Sequence, residues 1–115
     1  MKLYGIPNCN TVKKSRDWLT THHIPYEFQD FKKGVANQAL LTDWLNQLPW
    51  EKLINRAGMT WRNLTETEKS VVVDAPSALS LMLAKSSVIK RPVLVKDGKI
   101  ISLGFSEAVY QELLS

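Results

Sequence analysis

Leu3-Tyr4-Gly5-Ile6-Pro7-Asn8-Cys9-Asn10-Thr11-Val12-Lys13-Lys14-Ser15-Arg16-Asp17-Trp18-Leu19 is the stretch from which the fold is read. Its first four residues have the short apolar character of a buried strand. Pro7-Asn8 breaks that strand, and Val12, Arg16 and Leu19 then recur at helical spacing. Cys9 therefore falls at a strand-to-helix turn. Ile24-Pro25 closes the helix, and Tyr26-Glu27-Phe28-Gln29 alternates apolar and polar residues as a half-buried strand does. Strands joined by a helix pair in parallel through a right-handed crossover, so the opening of the chain is a βαβ unit.

Beyond Lys32-Lys33-Gly34 the pattern becomes helical over about residues 36–87. Asn37 is placed to cap a helix with Leu40, Leu41, Trp44, Leu45 and Leu48 on one face, and Pro49 interrupts it. A short helix is predicted from Trp50 to Asn55. Thr65-Glu66-Thr67-Glu68 matches a capping box, and Asp74-Ala75-Pro76 opens a helix carrying Leu79, Met82 and Leu83 on one face. Val71 to Val73 fits neither period. The end of the chain changes again: Val93-Leu94-Val95-Lys96, Asp97-Gly98 and Lys99-Ile100-Ile101-Ser102 spell a hairpin, because Asp-Gly accepts type I′ geometry. Ser106 then caps a final helix expected to bury Val109, Tyr110, Leu113 and Leu114. The fold class is α/β: a βαβ unit, a helical insertion, then ββα.

A chain of 115 residues with 44% hydrophobic content can bury a core without disulfides, and 1–115 is read as one domain. Its apolar runs are far shorter than the roughly 20 residues that span a bilayer. Met1-Lys2 leads into the first strand with no apolar signal region, and the single cysteine excludes an internal disulfide, so the expected compartment is the cytoplasm. Lys and Arg number 15 against 11 Asp and Glu, but Lys13-Lys14, Lys32-Lys33 and Lys90-Arg91 are scattered pairs rather than a basic run. Nucleic acid is accordingly not an expected partner. Trp18, Trp44, Trp50 and Trp61 fall in apolar helical patterns, more typical of core than of base stacking.

The chemistry is expected at Cys9. The first amides of a helix lack internal partners and carry partial positive charge, which favours thiolate over thiol; Lys13 and Lys14 add to that field if either curls back. The same amides, at Asn10 and Thr11, suit an anion. A free cysteine is more often a small buried hydrophobe, but the polar flanks Asn8, Asn10 and Thr11 point to a reactive one. His22-His23 does not suggest a metal site: adjacent helical side chains diverge by about 100°, and no further ligand stands at a suitable spacing. No metal is expected. Asp30 and Asp97 are explained by a strand end and a turn.

Tyr4-Gly5-Ile6, Cys9, Asn55-Arg56-Ala57-Gly58, Thr60-Trp61-Arg62, Ile89-Lys90-Arg91-Pro92-Val93 and the closing Gly-Phe-Ser-Glu resemble the ArsC/Spx (arsenate reductase-like) family end to end, and most closely its YffB branch. The resemblance implies a thioredoxin-like fold with a helical insertion and a cis peptide before Pro92, where an ordinary X-Pro bond is cis only about 5% of the time. It also implies a glutathione-dependent thiol reductase in which Cys9 is the nucleophile and Arg56 and Arg91 hold a small oxyanion or disulfide substrate. Asn8, Lys13 and Pro92 are the candidate glutathione contacts. Glutathione is then a co-substrate, glutaredoxin is an alternative reductant, and no cofactor is tightly bound. The arginine that arsenate reductases carry after the hairpin is Gly104 here. Losing one oxyanion clamp weakens transition-state stabilisation by about 2 to 4 kcal/mol, which argues against arsenate reduction proper. The Spx side of the family implies a different alternative, a non-enzymatic regulator that binds RNA polymerase. Its Cys-x-x-Cys switch is absent, since Val12 stands in the second cysteine's place.

Overall fold

A computed structural model describes Met1–Leu114, and its first strand, β1 (Lys2–Gly5), leads through the Cys9 turn into helix α1 (Asn10–Thr21) and then strand β2 (Glu27–Asp30). Against the apolar pattern, β1 lies one residue nearer the N-terminus than Leu3-Tyr4-Gly5-Ile6 and β2 one residue nearer the C-terminus than Tyr26-Glu27-Phe28-Gln29. β1 pairs in parallel with β2, Leu3 opposite Phe28, as a helical crossover requires. Strand β3 (Val93–Lys96) joins the other side of β1 antiparallel, and β4 (Lys99–Leu103) closes the sheet in the order β2-β1-β3-β4. Asp97 and Gly98 have φ of 53° and 79°, the paired left-handed residues of the predicted hairpin turn. The parallel βαβ and antiparallel ββα halves make a thioredoxin-like α/β fold.

The chain divides into two compact units, Met1–Lys33 with the chain from Arg91 onward, and Gly34–Lys90. In the first unit Leu3, Leu19 and Leu94 are fully buried around Trp18 and Tyr110. Each such leucine contributes about 1.5–3 kcal/mol relative to exposure. The Tyr110 hydroxyl, buried among them, meets Ser15 Oγ at 2.7 Å, so the one buried polar side chain of α1 is paired with the last helix. That helix, α7 (Glu107–Leu114), corrects the sequence reading: only Tyr110 is buried, while Val109 and Leu113 are 40% and 47% exposed. An eight-residue helix turns one narrow stripe inward, and four apolar positions are more than that stripe holds.

The second unit is built from helices α2 (Gln38–Gln47), α3 (Trp50–Leu53), α4 (Met59–Arg62), α5 (Glu66–Ser70) and α6 (Ala75–Ala84). Its caps are those the sequence announces: Asn37 Oδ1 accepts the Leu40 N–H at 2.9 Å, and Thr65–Glu68 and Asp74–Ser77 form capping boxes. Its buried side chains include Leu41, Trp44, Leu53, Ile54, Met82 and Ile89. Three expectations need correction. The Trp50 helix ends at Leu53 because Ile54 turns extended and bridges Ile89. On α6, Ala78 and Met82 face inward and Leu83 is 43% exposed. Trp50 and Trp61 are half-buried rather than core.

Candidate functional site

Cys9 is held by its backbone from both sides. Its N–H donates to the Ile6 carbonyl at 3.4 Å and its carbonyl accepts the Lys13 N–H at 2.9 Å, so it is the N-cap residue of α1, with extended φ and ψ of −98° and 126°. The close seating of α1 on β1 fixes that turn: a Cβ added at Gly5 would lie 2.7 Å from Val12 Cγ2. Only glycine permits this approach without a shift.

The thiol is half-buried at the N-cap position. Its pKa nevertheless lies below the ordinary thiol value. Burial pushes it up, but donation from the Val12 amide, the Arg91 guanidinium and the Thr11 amide, together with the Arg91 charge, outweighs that. The cation acting on the sulfur is therefore Arg91; Lys13 and Lys14 contribute none of the lowering. Arg91 is half-buried, and its peptide bond to the buried Pro92 is cis, as the family resemblance implies. The Gly104 N–H donates to the Pro92 carbonyl at 2.8 Å with φ of 76°, which ties the end of the hairpin to the proline turn.

Of the residues singled out in the sequence, the first unit brings together Asn8, Cys9, Asn10, Thr11 and Lys13 along the start of α1, with Arg91 reaching Cys9. Asn8, Asn10, Thr11 and Lys13 are exposed. Arg56 belongs to the second unit, where it is exposed and its guanidinium lies 5.1 Å from the Trp50 ring centroid. Among the described residues no cluster of His, Cys, Asp and Glu is arranged to hold a metal ion. His22 instead stacks on Trp18 at 3.8 Å, its Nδ1 2.8 Å from the Trp18 carbonyl at the end of α1. Among the described residues no helix is long and apolar enough to cross a membrane.

Sequence reasoning missed Arg16, which it counted within the apolar stripe of α1. Its Nε donates to the Tyr26 hydroxyl at 3.1 Å and its guanidinium sits 4.2 Å over the Phe28 ring. The signal was present in the charge of a residue placed between Val12 and Leu19, three positions after Lys13.

A thioredoxin-like sheet, a helical insert and a thiol at the first helix start define a class of thiol-bearing α/β proteins. The chain belongs to the ArsC family, whose pattern matches residues 4–113. The solved structure of a YffB protein superimposes with a TM-score of 0.90 at 40% identity, covering 99% of this chain and 98% of that one. An arsenate reductase (ArsC) related protein from Brucella melitensis matches with a TM-score of 0.80 at 49% identity, covering 97% and 92%. An uncharacterized protein of Haemophilus influenzae is 39% identical over 95% of this chain and 94% of its own. More distantly, the global transcriptional regulator Spx of Listeria innocua is 22% identical over 91% of this chain and 79% of its own. Membership and these relatives support a thiol-redox, oxidoreductase-like function.

Proposed function

We propose that the protein is a glutathione-linked thiol reductase of the cytoplasm with Cys9 as its nucleophile. The observation that carries this reading is the lowered pKa of a half-buried thiol at the start of α1, beside Arg91. The thiolate attacks the glutathione sulfur of a mixed disulfide. The Cys9–glutathione bond forms as the substrate S–S bond breaks, and the substrate leaves as a thiolate that takes a proton from solvent. A second glutathione thiolate, or a glutaredoxin, attacks the Cys9-bound glutathione sulfur and returns Cys9 as thiolate. With free glutathione the product is glutathione disulfide, so the two electrons gained by the substrate come from glutathione. One cysteine suffices for this monothiol cycle.

In this cycle Arg91 stabilises the thiolate, and the α1 amides at Asn10 and Thr11 favour negative charge at the reacting sulfurs. Asn8, Lys13 and Pro92 serve as glutathione contacts. Arg56 holds an anionic group of the substrate. Gly104 weighs against arsenate as the physiological substrate: its left-handed backbone sits where arsenate reductases carry an arginine, and it offers no side chain. The test is a panel assay with glutathione in which arsenate, a glutathionylated peptide and a small disulfide are offered separately. The expected result is turnover of the glutathionylated peptide well above arsenate; faster turnover of arsenate identifies an arsenate reductase instead.

The Spx relatives favour a second reading, a regulator that acts by binding RNA polymerase. Capture of RNA polymerase by a protein inert across the panel selects it.

A further inference from the structure

Lys13, Arg16 and Thr20 follow Cys9 along one stripe of α1, at four, seven and eleven residues, and Asp17 flanks that stripe. Together with Pro7 and Tyr26 these side chains line an open cavity of about 430 Å³ on the first unit. Arg16 is fixed there in advance: its Nε is engaged by the Tyr26 hydroxyl and its plane by the Phe28 ring. Its Nη1 and Nη2 have no hydrogen-bond partner among the described residues, and no carboxylate pairs with Arg16 or Lys13 there. A half-buried guanidinium held rigid by its neighbours, with the donor end of its fork turned to no acid of its own chain, suits an external carboxylate. Asp17 sets a carboxylate on the same wall, suited to an ammonium.

We propose that Lys13, Arg16 and Asp17 form the subsite for the γ-glutamyl end of glutathione, its α-carboxylate on Lys13 and Arg16 and its α-ammonium on Asp17. This deepens the glutathione-linked reading and rests on it. The reach agrees: the helix rise from Cys9 to Arg16 is about 10 Å. The bonds from the glutathione sulfur to the γ-glutamyl α-carboxylate, fully extended, also span about 10 Å. Glutathione whose sulfur is joined to Cys9 therefore lies along α1 with its zwitterionic head over the cavity. The pairing of opposite charges explains why a mixed cluster rather than a plain basic patch heads this groove: it accepts an α-amino acid end and gives a simple anion less.

The test compares mixed disulfides of one peptide with glutathione and with cysteinylglycine, which lacks only the γ-glutamyl residue. Wild-type protein is expected to favour the glutathione form in kcat/KM, chiefly through KM. Lys13→Ala, Asp17→Asn and Arg16→Gln are each expected to reduce that preference about tenfold, the equivalent of one charge-assisted contact. A second measurement is independent of turnover: S-methylglutathione, which forms no disulfide, should bind Cys9→Ser protein and bind about tenfold more weakly when Asp17→Asn is added. Circular dichroism melts of each variant separate loss of contact from loss of fold. Turnover of both disulfides with the same preference in wild type and variants overturns the subsite while leaving the reductase reading in place. Turnover of neither overturns both.

Discussion

At the scale of single residues the account turns on Arg91 and Cys9. Thiol reactivity at neutral pH requires thiolate, and here the opposing effects are named: burial disfavours the charge, while two amides and one guanidinium favour it. Alkylation rate against pH should give a midpoint below the free value of about 8.5. Arg91→Ala should move that midpoint up and slow turnover as well. A midpoint that stays at or above the free value in the wild type removes the basis for calling Cys9 activated. Arg56 is carried by the other unit, and Arg56→Ala should raise KM for an anionic substrate and leave the alkylation midpoint where it was. Gly104 offers a different lesson. Its φ of 76° is a conformation side chains resist, so Gly104→Arg should cost about 1 kcal/mol and lower the melting temperature by about 4 °C, whatever it does to arsenate turnover.

At the scale of elements, the contact between β1 and α1 sets the position of the thiol. Gly5→Ala places a Cβ 2.7 Å from Val12 Cγ2, a stiff β-branched side chain on the buried face of α1. The helix start must move, at a cost of about 1–3 kcal/mol. The melt should shift down and the thiol midpoint up, since Cys9 rides on that turn. The same elements show why so much was legible from sequence. Asn37, Thr65 and Asp74 name their helices because capping is a local hydrogen bond between residues three apart. Asp97-Gly98 names its turn because both positions need left-handed backbone. Tertiary facts were not legible in this way. Which apolar positions of α6 and α7 face inward depends on how each helix lies on its neighbours, and the engagement of Arg16 depends on Tyr26 and Phe28, which the βαβ turn brings back against α1. Arg91 was legible as a candidate from the family pattern, whereas its precedence over Lys13 at the sulfur depends on the folded chain, which sets Arg91 and not Lys13 to act on the thiol.

At the scale of the whole molecule, the thiol couples to folding. A group whose folded pKa lies below its unfolded value stabilises the fold above the unfolded pKa, and that contribution is lost as pH falls through the folded one; Cys9 is such a group. Tyr110 has the opposite sign: burial raises its pKa despite the Ser15 hydrogen bond. Its contribution is therefore present below the unfolded value of about 10 and is lost as pH rises through the folded value. Denaturation midpoints taken from neutral pH to about 8.5 should thus rise more in wild type than in Cys9→Ser. A parallel response of the two proteins contradicts the assignment. Cys9→Ser should otherwise fold normally, because a half-buried, nearly isosteric change opens no cavity.

The most direct measurement of the central claim is a single-turnover trap. Wild-type protein is mixed with a glutathionylated peptide, quenched in acid, and its intact mass read together with that of the peptide. The expected result is glutathione transferred to Cys9 and the peptide released as free thiol, with no transfer in Cys9→Ser. Release of peptide without any adduct, or an adduct of the peptide itself on Cys9, contradicts it.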